Sequence, residues 1–224
     1  MRYAIVGVLC FLAGFGAAVG AMAAGWFDPR PTVEPPPSEE WGKFLSVPKV
    51  ELLGDGRLLR LTEDFAYVDR QKTTWIAPKG SIVDGASIPW PLWSVSGGPL
   101  EGKYRNASIV HDVECDRKTK PWDDVHLMFY DACRCGGVPE VQAKTLYAAV
   151  YHFGPRWDFR QEMKMKVFRD RHGRKKTATY RVRIARPTKA PSEPDAALSR
   201  KLRDHVERRN PSLDELRKLD PSKL

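Results

Sequence analysis

Apolar residues recur along this chain with two periods. Between about 44 and 93 they alternate with polar ones. Lys49–Leu53 and Arg57–Leu61 flank Gly54-Asp55-Gly56, which predicts a strand, a turn and a strand. Phe65–Asp69 and Thr73–Ala77 predict a second pair. Pro78-Lys79-Gly80 then turns the chain into a short strand, Ser81–Val83, with Asp84 after it. From Asn106 onward the spacing becomes helical. Asn106 is the expected N-cap of a first helix carrying Ala107, Ile109, Val110 and Val113. A second helix is expected over Asp123–Cys135, where Val125, Met128, Phe129 and Ala132 make one apolar face. Its two aspartates favour the positive N-terminus, and Gly136-Gly137 ends it. A third is expected over Pro139–Phe153, stopped by Gly154-Pro155. Alternation then returns in Met163–Phe168 and Thr179–Ile184, which predicts a basic hairpin.

The expected fold is therefore α+β: a small β-hairpin region, three packed helices and a C-terminal basic hairpin, preceded by an N-terminal membrane segment. In segments, 1–27 is the membrane anchor or signal, 28–43 a proline-rich spacer, 44–160 the core domain, 161–186 the basic hairpin and 187–224 a linker with a charged helical tail. In that tail, helices are expected over Ala196–Arg209 and Ser212–Leu219, and Ser212 with Glu215 forms a capping box.

Charge sharpens this picture. The net charge is +9, but residues 161–224 hold 19 Lys or Arg against 9 Asp or Glu, and the rest of the chain is near neutral. A basic C-terminal region suits an acidic partner or an anionic lipid surface. Residues 4–27 carry no charge, which is long enough to cross a bilayer as a helix. The reading is a single-pass anchor with Arg2 inside and the body outside the cytoplasm. The alternative is cleavage after the A-x-A-like Ala21-Met22-Ala23, giving a secreted or periplasmic protein. A body outside the cytoplasm argues against a nucleic-acid partner. Five prolines between Asp28 and Ser38 make an extended spacer. Of the cysteines in the body, Cys115 and Cys133 could form a disulfide, or Cys115, Cys133 and Cys135 could all be buried thiols.

The candidate chemistry lies in Asp84, His111, Asp112 and His126, within 43 residues of one another. Imidazole titrates near neutral pH, whereas a carboxylate stays ionised and can hold a cation. Asp84, on a loop, could join residues from two helices in a site for zinc, manganese or iron that activates water. His111 and Asp112 are the catalytic candidates in that case. The other reading makes these groups buried polar ties between hairpin and helices. Asp123 and Asp124 are read as helix-start charges, and Trp90, Trp93 and Trp157 as core.

The run D-G-A-S-I-P from Asp84, then Y-R-N-A-S-I-V-H-D ending at Asp112, V-H-L-M-F-Y-D-A from Val125, and F-G-P-R-W ending at Trp157 resembles a phage and bacterial family, domain of unknown function 1353, over about residues 44–157. That resemblance implies phage ancestry and no defined chemistry. Many members of the family have Asp where this chain has His126. A weaker similarity, to phospholipase A2 enzymes, rests on Gly97-Gly98-Pro99 followed by His111-Asp112. It implies His111 as general base, Asp112 as a calcium ligand, and His126, Asp123 or Asp124 in the place of the residue that orients the histidine. Cys115 stands where those enzymes have an aromatic residue.

Overall fold

The computed structural model describes residues 39–54, 58–84, 102–192 and 194–224. The apolar run at 4–27, the proline spacer up to residue 38, most of the D-G-A-S-I-P motif, Trp90, Trp93 and Gly97–Pro99 lie outside them. Among the described residues no helix is long and apolar enough to cross a membrane.

The N-terminal half of the described chain folds into two small antiparallel sheets. One is built from β1 (Lys43–Phe44), β4 (Phe65–Val68) and β5 (Thr74–Ala77), with β4 in the centre. Its register sets Phe65 opposite Ala77 and Tyr67 opposite Trp75. These four residues are buried, as alternation requires of a sheet with one face on a core. Phe44 stacks on Phe65, so the two-residue β1, which the sequence pattern does not disclose, is fixed by aromatic packing. The other sheet holds β2 (Val50–Leu52), β3 (Leu59–Leu61) and β6 (Ile82–Val83), again with the middle strand paired on both sides. The short strand before Asp84 thus pairs with β3 and not with its neighbour in sequence.

Three helices form the core: α1 (Arg105–Arg117), α2 (Trp122–Cys135) and α3 (Glu140–Phe153). Their ends fall within a residue or two of the periodicity. The expected Asn106 cap is not used. A 3-10 turn over Gly102–Tyr104 feeds directly into α1, and Tyr104, already in the αR region, precedes the helix with no side-chain cap. Pro121 and Pro139 stand immediately before α2 and α3. Every residue of α1 from Ala107 to Cys115 is buried, including Ser108, His111, Asp112 and Glu114. A helix apolar and polar all round, yet enclosed, must satisfy its polar groups inside the protein. Gly154 ends α3 with its backbone against the ring of His126. A Cβ there would lie 2.3 Å from the Val150 carbonyl oxygen and 3.2 Å from His126 Nε2.

The basic hairpin is much longer than its apolar alternation predicts. Strand β7 (Arg156–Arg169) pairs with β8 (Lys175–Lys189) along its whole length, and the turn is closed by Asp170 and Gly173 at φ 75°. Trp157 roots this ribbon in the core, fully buried and donating from Nε1 to the Lys120 carbonyl at 2.9 Å. The charged C-terminal helices α4 (Ala196–Arg209) and α5 (Leu213–Lys218) are not a detached tail. Leu202, Val206 and Leu216 are buried in the core cluster. Lys144 of α3 donates to Asn210, and Arg217 donates to the Tyr147 hydroxyl of α3. The Ser212–Glu215 capping box forms as the sequence predicts.

Candidate functional site

The helical spacing decides which side chains of α1 meet. His111 and Cys115 are four residues apart and share a face, whereas Asp112 lies about 100° round. His126, in the first turn but one of α2, comes up against that face. His111 Nε2 is 2.9 Å from His126 Nδ1, and Cys115 Sγ is 3.6 Å from His111 Nε2. Both imidazoles are wholly buried. The Phe129 ring lies 4.6 Å from that of His111, and Trp122 packs edge-on to His126. Among the described residues, His111, Cys115 and His126 are the one group of three or more His, Cys, Asp or Glu whose donor atoms fall within 4.8 Å of one another.

The tautomer of His126 follows from its other neighbour. Nε2 lies 3.2 Å from the Pro155 carbonyl oxygen. A carbonyl only accepts, so Nε2 carries the proton and Nδ1 presents its lone pair to the cluster. This is the arrangement that orients metal-binding histidines through a backbone carbonyl. Burial also keeps both rings neutral. It holds His111 well below the ordinary imidazole range, with His126 adding to the effect, and lowers His126 to about 3. Neutral imidazole is the form that binds metal.

The expected set of four does not gather as one donor group. Asp84 is exposed at the end of β6, and Asp112, though buried, points round α1 away from the histidine pair. Both carboxylates instead line a cleft of about 410 Å³ with Cys115. Arg156, Lys118 and Lys189 face the same cleft. Cys115 is therefore the member that sequence reasoning missed: it belongs both to the histidine pair and to the cleft wall. The signal was its i+4 spacing from His111. None of Cys115, Cys133 and Cys135 is in a disulfide, and burial pushes the Cys133 thiol well up. Asp123 and Asp124 lie in the first turn of α2, as read.

A second cleft, of about 380 Å³, has Asp69, Trp75, Lys120, Asp124 and Asp131 in its wall. Asp131 accepts from Arg70 Nε at 3.0 Å, and its other oxygen has no hydrogen-bond partner. Burial, opposed by Arg70, pushes its carboxyl up to about 6. Arg70 and Asp131 are 61 residues apart, and no local pattern announces the pair.

Against this geometry the comparisons with known proteins can be set. Residues 59–150 match the profile of a family described as "Protein of unknown function (DUF1353)". That segment is similar to this family. It contains the histidine pair, Cys115 and both cleft carboxylates; the ribbon and the C-terminal helices lie beyond it. The chain is similar to two proteins of Sinorhizobium fredii (strain NBRC 101917 / NGR234). It is 43% identical over 122 residues to "Uncharacterized protein y4jT", a match covering 54% of this chain and 36% of that one. It is 41% identical over 110 residues to "Uncharacterized protein y4iH", covering 49% and 46%. The chain thus spans less than half the length of these relatives. No solved structure matches it significantly.

Proposed function

We propose that the DUF1353-like segment of this chain is a metal-dependent hydrolase. His111, Cys115 and His126 would hold the ion, and Asp84 and Asp112 would work in the adjoining cleft. The observation that carries the reading is the double position of Cys115, 3.6 Å from His111 Nε2 and in the wall of the cleft that holds both carboxylates. A tetrahedral ion with metal–nitrogen bonds of about 2.0 Å and metal–sulfur bonds of about 2.3 Å sets its donors roughly 3.3–3.6 Å apart. Cys115 and His111 already have that separation. The two histidine nitrogens, at hydrogen-bond distance, need to part by a few tenths of an ångström. Two imidazoles and a thiolate suit zinc better than calcium, which takes oxygen ligands.

With three protein donors, such a site would leave one position for water, and a bound ion would supply an activated hydroxide at neutral pH. Asp112, which lines the cleft with Cys115, would be the base for such a water. Asp84, in the lining of the same cleft, would orient the substrate. Arg156 and Lys189 favour a substrate with an anionic group near the scissile ester or amide. Burial and Arg156 lower the Lys189 ammonium, which marks a cleft already rich in positive charge. The apolar run at 4–27 supports action at the cell envelope, on lipid, peptidoglycan or peptide.

A second reading has its own observation. The chain from His111 Nε2–H to His126 Nδ1, and from His126 Nε2–H to the Pro155 carbonyl, is complete without any ion. On that reading the pair is a polar tie joining α1, α2 and the segment after α3, in a binding or assembly module. Elemental analysis of the purified chain, with Cys115→Ser beside it, separates the two. The hydrolase reading expects one zinc-class ion per chain, lost in Cys115→Ser while the fold persists. No bound metal in either protein overturns it.

A further inference from the structure

The strongest feature outside the helical core is the ribbon β7–β8. Residues 156–189 hold 13 Lys or Arg against 3 Asp or Glu. The remaining C-terminal residues, 190–224, hold 8 against 7, so the basic excess belongs to the ribbon and not to the terminal helices. The acidic residues of the distal ribbon are used internally. Glu162 pairs with Arg186, and Asp170 closes the turn while pairing with Arg174. Among the described residues no ion pair engages Lys164, Lys166, Lys175, Lys176 or Arg181.

Its apolar residues are as unusual as its charge. From Met163 to Arg181 every residue but Asp170 is exposed. Directly paired residues share a face of an antiparallel ribbon. One face therefore carries Met163 with Arg181, Met165 with Thr179 and Val167 with Thr177. Those three apolar side chains are 61%, 73% and 63% exposed. The opposite face carries Lys164 with Tyr180 and Phe168 with Lys176, and Phe168 and Tyr180 are exposed too. Seven strand residues at about 3.3 Å each make an arm of roughly 20 Å beyond Glu162, with nothing among the described residues packed on either face.

An arm that exposes a row of large apolar side chains, with Arg181 at one end of the row and Arg169 and Lys175 at the other, is matched to a surface that is negative outside and apolar just beneath. We propose that the distal ribbon, residues 163–181, docks on an anionic lipid bilayer. Arg181 at one end of the row, and Arg169 and Lys175 at the other, lie on the same face and meet the headgroups. Met163, Met165 and Val167 enter the headgroup–acyl boundary. A nucleic-acid duplex would answer the charge, and a major groove admits a two-stranded ribbon, but it offers little apolar area to three adjacent aliphatic side chains. This proposal is independent of the metal site.

The test uses the full chain reconstituted into vesicles, so that any insertion by residues 4–27 is common to every sample. In a Cys10→Ser, Cys115→Ser background, Thr177→Cys carries a polarity-sensitive fluorophore on the face of Val167; Cys133 and Cys135 are buried. With vesicles of zwitterionic lipid plus one-third anionic lipid, the probe should shift to apolar emission and be quenched by lipid-borne quenchers. With purely zwitterionic vesicles, or at high salt, quenching should fall at least tenfold. Joint reversal of Arg169, Lys175 and Arg181 to Glu should cause a similar loss. The triple change Met163→Ser, Met165→Ser and Val167→Ser should lower quenching several-fold while leaving its salt dependence. A probe that stays in water on both vesicles overturns the proposal. So does a probe that responds to duplex DNA but not to anionic vesicles, or one that shifts with protein concentration alone.

Discussion

The helical core and the ribbon are neighbours in sequence and opposites in solvation. In α1, polar side chains are buried among apolar ones, and in β7 and β8 apolar side chains stand in water among charges. Burial of a polar group is costly unless something satisfies it, and exposure of a large apolar row is costly unless something covers it. The core answers with hydrogen bonds from within the same chain. The ribbon has no such answer among the described residues. The two departures from the ordinary pattern therefore point in different directions, inward to a closed polar cluster and outward to a partner surface.

The largest test of this contrast is at the junction. Trp157 fixes the ribbon to the core, and Trp157→Ala should lower stability by about 3–5 kcal/mol in denaturant titration, because a fully buried ring and its hydrogen bond are lost together. The matching change in the distal ribbon, Met165→Ser, should move stability by less than about 0.5 kcal/mol. Comparable losses at both positions would mean that the arm is packed after all. His126→Ala should cost about 2–4 kcal/mol, since it opens a cavity and strands His111 Nε2 without an acceptor. Gly154→Ala should follow at about 1–3 kcal/mol, as its Cβ meets the Val150 carbonyl.

A pH titration sharpens the comparison further. Burial holds both core histidines below their unfolded value of 6.5, His126 at about 3. The folded state then binds fewer protons than the unfolded one, so stability is full above pH 6.5 and falls as pH drops from there towards 3. Asp131 works in the other sense. Its carboxyl is raised to about 6 by burial, so its contribution improves as pH falls from 6 towards 3.8. His126→Gln should flatten the fall below pH 6.5, because the buried neutral imidazole of the core is its source. An undiminished fall in that variant would mean that the buried histidine is not its source.

Much of this organisation was legible in the chain. The stripe Val125, Met128, Phe129, Ala132 announces α2, and the Gly-Pro stop after Phe153 announces the end of α3. The hairpin was legible only as far as its apolar alternation, which stops short because Arg and Lys continue the same strands. The packing of α4 and α5 had a signal in the i+4 pair Leu202 and Val206, masked by the surrounding charge. The histidine pair was legible as a meeting of two helices. Cys115 was not placed in it, because a His-Asp dipeptide draws the eye to adjacent residues while a helix brings together residues four apart. The pairing of β3 with β6 and of Arg70 with Asp131 depends on chain reversals that no local pattern encodes.

The central claim is that His111, Cys115 and His126 hold a metal ion beside the Asp84–Asp112 cleft. Its most direct test is the metal content of the full chain purified without chelator, measured beside Cys115→Ser and His111→Gln. The account predicts one zinc-class ion per chain in the parent protein and none in either folded variant. A parent protein free of metal, whose melting temperature is unmoved by added zinc or by Cys115→Ser, would contradict it and leave the histidines as a structural tie.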